Sequence, residues 1–379
     1  MHCLGLMSGT SADGVDAVLA RFDGPAQRPH WSLLRHHHQP YPPQLQQQVV
    51  AAGQGTAMPA PRWLELAEAI TEVQADAVQA CDPEEKAKVI GCHGQTIWHR
   101  PPAQGTRGAS WQMLQAPLLA HLLQRPVIHD FRAADLALGG QGAPLVPRAD
   151  AALLGGTEGW RALLNLGGIA NLTLIPPCRG ADRHAAVLGW DCGPANSLID
   201  LGIHHFTDGA QNFDQGGAMA AQGHADEARI QRWLQEEYFQ IAPPKSTGRE
   251  CFGQEDLNRR LHQLKGASAA DAMATLTAFS AAVVAQDLEH LRQTRGIAPI
   301  EVITAGGGSQ NPVLINELRR RCRGAQVDES STVGVPAEAR EALVFALLAW
   351  WHQRNHPGNV PAVTGASRET VLGVLVHPA

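Results

Sequence analysis

The sequence predicts an α/β protein built as two similar lobes, each with a mixed sheet and flanking helices. Three observations predict it. The chain has 379 residues, about two and a half times a domain of roughly 150. A strand–glycine turn–strand pattern stands at the N-terminus and again mid-chain, which marks two halves rather than a solenoid of short period. Helical patterns with one apolar face separate the strands.

The first hairpin is a strand over 3–7, the turn Ser8-Gly9-Thr10-Ser11-Ala12-Asp13-Gly14, and a strand over 15–22. Trp63, Leu66, Ile70, Val73 and Ala77 fall on one face of a helix. Glycines and a proline over 138–144 read as the boundary between a lobe of residues 1–137 and a lobe of residues 138–379. The second hairpin is a strand over 162–166, Gly167-Gly168, and a strand over 169–175. A long helix is marked by Leu276, Phe279, Val283, Val284, Leu288 and Leu291 and stopped by Gly296. A strand over 302–305 enters Gly306-Gly307-Gly308-Ser309, with a helix opening near Pro312. The last helix spans 333–351, with Pro336 near its first turn.

Composition narrows the function. Apolar residues make up 44% and charged residues 17% of the chain, a folded and not a disordered balance. The net charge is −6 and no long Lys/Arg run occurs, so neither nucleic acid nor an anionic membrane is expected as a partner. The seven cysteines form no CxxC pair and are odd in number, which fits reduced thiols in a cytoplasmic protein. The N-terminus lacks the basic and apolar regions of a signal peptide. The longest apolar run, 342–351, is about half of the ~20 residues that a membrane span needs.

The glycine turns carry the chemistry. The chain has no Gly-Lys dipeptide, which excludes a Walker A loop. The Gly306 cluster approaches GxGxxG but has Asn311 in the last place, a weak dinucleotide signal. A hairpin rich in Gly, Ser and Thr can point N–H groups and hydroxyls at phosphate while a nearby Asp holds Mg²⁺ through water. Gly9, Thr10, Ser11, Ala12, Asp13, Gly14, Val15 and Asp16 supply those parts. Gly167 and Gly168 would clasp the same phosphates, and Gly306, Gly307 and Gly308 would admit a base or ribose close to the backbone. Any one turn reads equally well as an ordinary hairpin; three together favour nucleotide binding.

Longer strings add a resemblance. Residues 5–16, Gly91-Cys92-His93-Gly94-Gln95-Thr96, 130–147, 165–171, Asp191-Cys192-Gly193-Pro194-Ala195-Asn196, Lys245-Ser246-Thr247-Gly248-Arg249-Glu250, 306–311 and Thr364-Gly365-Ala366 resemble the 1,6-anhydro-N-acetylmuramic acid kinase family. That is the peptidoglycan-recycling branch of the sugar kinase, Hsp70 and actin superfamily. The resemblance implies an actin-like ATPase fold with ATP in a central cleft. It implies phosphorylation of O6 of an anhydro amino sugar with water opening the anhydro bridge, and ATP with Mg²⁺ as cofactors. It leaves room for a homodimer. The family usually has Thr and Gly where this chain has Cys192 and Ala195, and a positive φ at 195 would strain alanine.

The resemblance also implies roles for individual residues. Asp191, by itself an Asx-turn residue at the end of a strand, becomes the catalytic base. Glu341, by itself a solvated helix carboxylate, becomes a second catalytic carboxylate. His93, Gln95 and Thr96 suit sugar hydroxyls. Arg132 is the best cation for the substrate's carboxylate, with Asp135 beside it in the substrate site. Asn171 joins the nucleotide-binding residues, and Asp13 and Asp16 hold Mg²⁺ through water. Lys245 and Arg249 form either a mobile lid or a solvated basic turn. His36-His37-His38 and His204-His205 lack metal-ligand spacing. Rival readings are an actin- or Hsp70-like switch, a nucleotide-free glycosidase using Asp191 and Glu341, and a kinase of acetate or simple hexoses.

Overall fold

The computed structural model describes residues 1–9, 12–103, 105–243, 245–248 and 251–379. The chain divides into two units, Met1–Leu154 with Gly334–Ala379, and Gly155–Val333. The first contributes strands β1 (His2–Ser8), β2 (Gly14–Asp23), β3 (His30–Pro40), β4 (Val89–Arg100), β5 (Ala109–Met113) and β6 (Val127–His129). The second contributes β7 (Trp160–Leu166), β8 (Ile169–Ile175), β9 (Leu188–Pro194), β10 (Pro299–Ala305) and β11 (Gln326–Glu329). The chain then returns to the first unit with β12 (Val374–Val376).

The two sheets share one plan. In the first unit β3, β2 and β1 form an antiparallel meander, and β4 and β6 continue it in parallel. In the second unit β9, β8 and β7 form the meander, and β10 and β11 continue it in parallel. The predicted α/β class, with two similar mixed sheets and flanking helices, is the class observed. The first sheet gains β5 against β4 and β12 against β6.

The expected boundary after residue 137 is corrected to 154/155, with a return at 333/334. The glycine-rich segment is no linker. Gly142 N–H donates to Asp135 Oδ2 at 2.9 Å, and Gln141 N–H to the Thr364 carbonyl at 2.8 Å. Polar groups inside the first unit thus hold the loop, where a linker would leave them to water.

The return is needed because the first sheet takes the helix Arg340–His352 as its cover. Gly5 and Gly91 are register partners on β1 and β4. A Cβ on Gly5 would lie 1.9 Å from the Ala342 carbonyl oxygen, and one on Gly91 would lie 2.2 Å from that of Phe345. Only glycine permits that approach. It sets the first turn of this helix, which carries Glu341, against the sheet. The helix begins at Arg340, later than the predicted 333, after short turns over Ser330–Val333 and Ala337–Ala339.

In the second unit the predicted long helix is Ala269–Arg295, capped by Gly296 at φ 68°. It is long and apolar enough to cross a membrane, although its apolar residues form no single long run, but 72% of its most apolar window is buried. It is the core helix under β8 and β9, and its Leu276, Phe279 and Val283 share one buried cluster with Leu172 and Trp190.

Candidate active site

The first glycine hairpin turns between β1 and β2. Thr10 and Ser11 lie outside the described residues. Ala12 takes φ 52°, uncommon for a side chain with a Cβ, and its N–H donates to the Gly9 carbonyl at 3.3 Å. Gln95 and Tyr41 hold the turn from behind. Gln95 Nε2 donates to the Gly9 carbonyl at 2.9 Å, and Tyr41 Oη donates to Gln95 Oε1 at 3.1 Å. Gln95 is fully buried, so its expected contact with the sugar is corrected: it braces the hairpin. The Val15 side chain, on β2, lies in the core. Gly14 starts β2 beside Pro40 of β3. Asp13 anchors the far end of the turn through its carbonyl, which accepts from Tyr41 N–H at 3.1 Å. Asp16 Oδ1 lies 3.0 Å from His38 Nδ1 and 3.2 Å from His36 Nε2. His36 and His38 therefore serve a carboxylate, while His37 Nε2 lies 3.1 Å from Gln39 Oε1.

The second turn holds a helix. The Gly168 carbonyl accepts from Ala195 N–H at 2.9 Å and Ser197 N–H at 3.0 Å, and the Gly167 carbonyl from Asn196 N–H at 3.0 Å. These bonds seat the start of the helix Asn196–Phe206 on the β7–β8 turn. The glycine cluster after β10 packs on the same turn. Gly306 takes φ 81°, and a Cβ there would lie 2.6 Å from Asn165 Oδ1; one on Gly308 would lie 2.7 Å from Leu166 Cβ. A Cβ on Gly167 or Gly307 would meet nothing closer than 3.8 Å, so this backbone is open to a ligand. Beside it is a cavity of about 420 Å³ lined by Asn196, Phe213, Asp214, Gly307, Gln310 and Asn311. Asn311, the residue that spoils GxGxxG, caps the next helix by accepting from Val313 N–H and Leu314 N–H.

Asp191 stands inside β9, not at its end. Its Oδ1 accepts from Asn171 Nδ2 at 2.7 Å, and its Oδ2 from Ser246 Oγ at 3.0 Å and Thr247 N–H at 3.1 Å. Asn171 is thereby moved from the nucleotide to the carboxylate, because β8 is the register neighbour of β9 at that point. Ala195 has φ −111°, not the positive φ that would strain alanine; the positive φ falls on Gly193, at 153°.

In the first unit Arg132 is gripped on three nitrogens. Nε and Nη2 donate to His93 Nε2 at 3.2 and 3.0 Å, and Nη1 donates to the Gly142 carbonyl at 2.7 Å. Burial lowers its pKa to about 10, and the Glu341 charge works against that fall. Burial and Arg132 hold the His93 imidazole well below its ordinary 6.5, so the ring is neutral. Nδ1 then donates to the Gly94 carbonyl at 2.9 Å and Nε2 is free to accept. The expectation that His93 touches sugar gives way to a bracing role. Asp135 is corrected too: with no exposed surface, it accepts from Asn359 Nδ2 at 2.8 Å, Thr364 Oγ1 at 2.7 Å and Gly142 N–H. Thr96, half-buried on β4, remains available as a contact. Burial raises the Glu341 carboxyl above its ordinary value, with Arg340 and Arg132 pulling it back.

Sequence reasoning missed Tyr41, Asn196 and Asp287. It left Lys245 as a lid or a solvated turn, yet Lys245 is buried, with Nζ 2.8 Å from Asp287 Oδ1; Arg249 and Glu250 lie outside the described residues. The signal for Asp287 was present: one acid amid an otherwise apolar helix face.

The family model described as anhydro-N-acetylmuramic acid kinase matches residues 1–378. The chain is 85% identical to a protein of that name from Synechococcus sp. (strain CC9605), over the whole of both chains. It is 69% identical to the one from Synechococcus sp. (strain CC9902), again over the whole of both. Among solved structures, component A of the Acidaminococcus fermentans (R)-2-hydroxyglutaryl-CoA dehydratase is similar at a TM-score of 0.43 and 11% identity, over 92% of this chain and 98% of that one. That likeness is too distant to bear on the site.

Proposed function

The chain belongs to the anhydro-N-acetylmuramic acid kinase family, and from that premise we propose that it opens the 1,6-anhydro bridge with water while transferring the γ-phosphoryl of ATP to O6. It is a kinase by its family. The products would be N-acetylmuramic acid 6-phosphate and ADP, formed in the cytoplasm during peptidoglycan recycling.

The observation that carries this reading is the hydrogen bonding of Asp191. A carboxylate has about four acceptor positions, and Asn171, Ser246 and Thr247 use three of them. The one left over is on Oδ1. A carboxylate held so firmly, with one lone pair to spare, suits a general base for a single water. Water attacks C1 and gives its proton to Asp191; the C1–O6 electron pair stays on O6. O6 then bonds to the γ-phosphorus, and the bond from phosphorus to the β–γ bridging oxygen breaks to release ADP. Arg132, braced by His93 and Gly142, would bind the sugar's carboxylate. Glu341, with its raised pKa, would be the second catalytic carboxylate and hydrogen-bond the sugar.

The open backbone at Gly167 and Gly307, with the cavity beside it, fits a nucleotide. Asp13 and Asp16 of the hairpin fit Mg²⁺ held through water, and Asp16 keeps its second oxygen clear of the histidines. Mg²⁺ would neutralise charge on the phosphates.

Reaction in ¹⁸O-labelled water tests the proposal. Label is expected at C1 and not in the phosphoryl group. Label in phosphate would mean water attacks phosphorus, and bridge opening without ATP would make the protein a glycosidase; either outcome sinks the reading.

A further inference from the structure

The helix Ala269–Arg295 carries an ion pair that the proposed reaction does not use. Lys245 and Asp287 are 3% and 4% exposed and 2.8 Å apart. Asp287 Oδ2 accepts from Trp190 Nε1 at 2.9 Å, and Trp190 immediately precedes Asp191 on β9. Attraction between two charges this deep is largely offset by their lost hydration, so an apolar pair would hold the fold about as well. What the ion pair adds is a fixed place for the backbone of Lys245.

That backbone is attached to Asp191. The Lys245 carbonyl accepts from Asp191 N–H at 3.0 Å. The next two residues supply both hydrogen bonds to Asp191 Oδ2. Tyr238 adds a third hold: its hydroxyl donates to the Asp191 carbonyl at 2.7 Å, and its ring centroid lies 5.0 Å from Lys245 Nζ. The N–H, the carbonyl and one carboxylate oxygen of Asp191 are therefore all held by the neighbourhood of one ammonium. Thr247 Oγ1 is buried there with no hydrogen-bond partner among the described residues, which is rare for a buried hydroxyl.

We propose that Lys245 and Asp287 are positioning residues for Asp191: their pairing pins the 245–247 segment so that Oδ2 is occupied and Oδ1 is presented to water. This inference rests on the reading of Asp191 as the base. The pair acts through the segment and touches no substrate.

The test replaces both charges at once, Lys245→Met with Asp287→Leu, so that no unpaired charge is left buried. The expected result is a folded protein with KM values for ATP and sugar within about threefold, and kcat lower by about tenfold to a hundredfold, the scale of a displaced catalytic group. In an Asp191→Asn background the same pair of changes should lower kcat no further, because both act through one group. An unchanged kcat with a lower melting temperature would make the pair merely structural and overturn the inference, as would a second full loss in the Asp191→Asn background. Should the double variant not fold, Tyr238→Phe decides: it removes only the hydroxyl on the Asp191 carbonyl. It should lower kcat several-fold at constant KM, and an unaltered kcat overturns the positioning role. Full activity of Asp191→Asn would instead sink the base assignment, which separates the two failures.

Discussion

His93 Nε2 accepts from two nitrogens of Arg132 at once, Nε at 3.2 Å and Nη2 at 3.0 Å. The arrangement holds only while the imidazole is neutral, and burial together with the Arg132 charge keeps it so. It gives the guanidinium a fixed direction that its charge alone would not.

A pH dependence of stability follows. Below about 6.5 the unfolded chain protonates His93 and the folded protein does not. Stability from this group is complete above that value and is lost progressively as pH falls from there toward the depressed folded pKa. Between pH 7 and pH 5 the melting temperature should fall more steeply for the native protein than for His93→Gln, which does not titrate. Parallel slopes would show that His93 is not held neutral.

Arg132→Lys keeps the charge and loses the fork. Losing one charge-assisted hydrogen bond costs about 1.5–3 kcal/mol, so the KM for sugar should rise roughly tenfold to a hundredfold while that for ATP stays put. Equal changes in both constants would remove Arg132 from the sugar site.

Asp191→Asn should lose about 10² to 10⁴ in kcat, the usual worth of a positioned base. Calorimetry should still register binding of nucleotide and of sugar. Because O6 gains its electron pair only as the C1 bond breaks, ring opening and phosphorylation should vanish together; survival of either alone contradicts a coupled reaction.

Asp135→Ala should act on stability. It strips the acceptor from Asn359, Thr364 and Gly142, and leaving such groups buried and unpaired costs about 1–3 kcal/mol each. Urea unfolding should show a loss of several kcal/mol. A stable variant with a weakened sugar KM would restore the direct contact that the sequence suggested.

Asp13→Ala and Asp16→Ala should each raise the Mg²⁺ concentration needed for half-maximal rate, with secondary structure unchanged by circular dichroism. Normal Mg²⁺ dependence in both would take the hairpin out of the metal site.

Strand, turn and helix patterns fixed by local chemistry were readable from the residues alone. The β1–β2 and β7–β8 hairpins, the helix stopped by Gly296 and the glycine cluster after β10 all depend on backbone preferences within a few residues. The long strings around Asp191 and Arg132 likewise sufficed to assign the family. Tertiary structure decided what those residues touch. His93, Gln95 and Asn171 looked like ligand contacts because they are polar and lie near glycines. Their partners are Arg132, Gly9 and Asp191, which lie 39, 86 and 20 positions away in the chain, and no local pattern encodes such distances. Lys245 shows the same limit most plainly. A lysine in a turn favours water, and only the buried Asp287, 42 residues further on, makes its burial affordable.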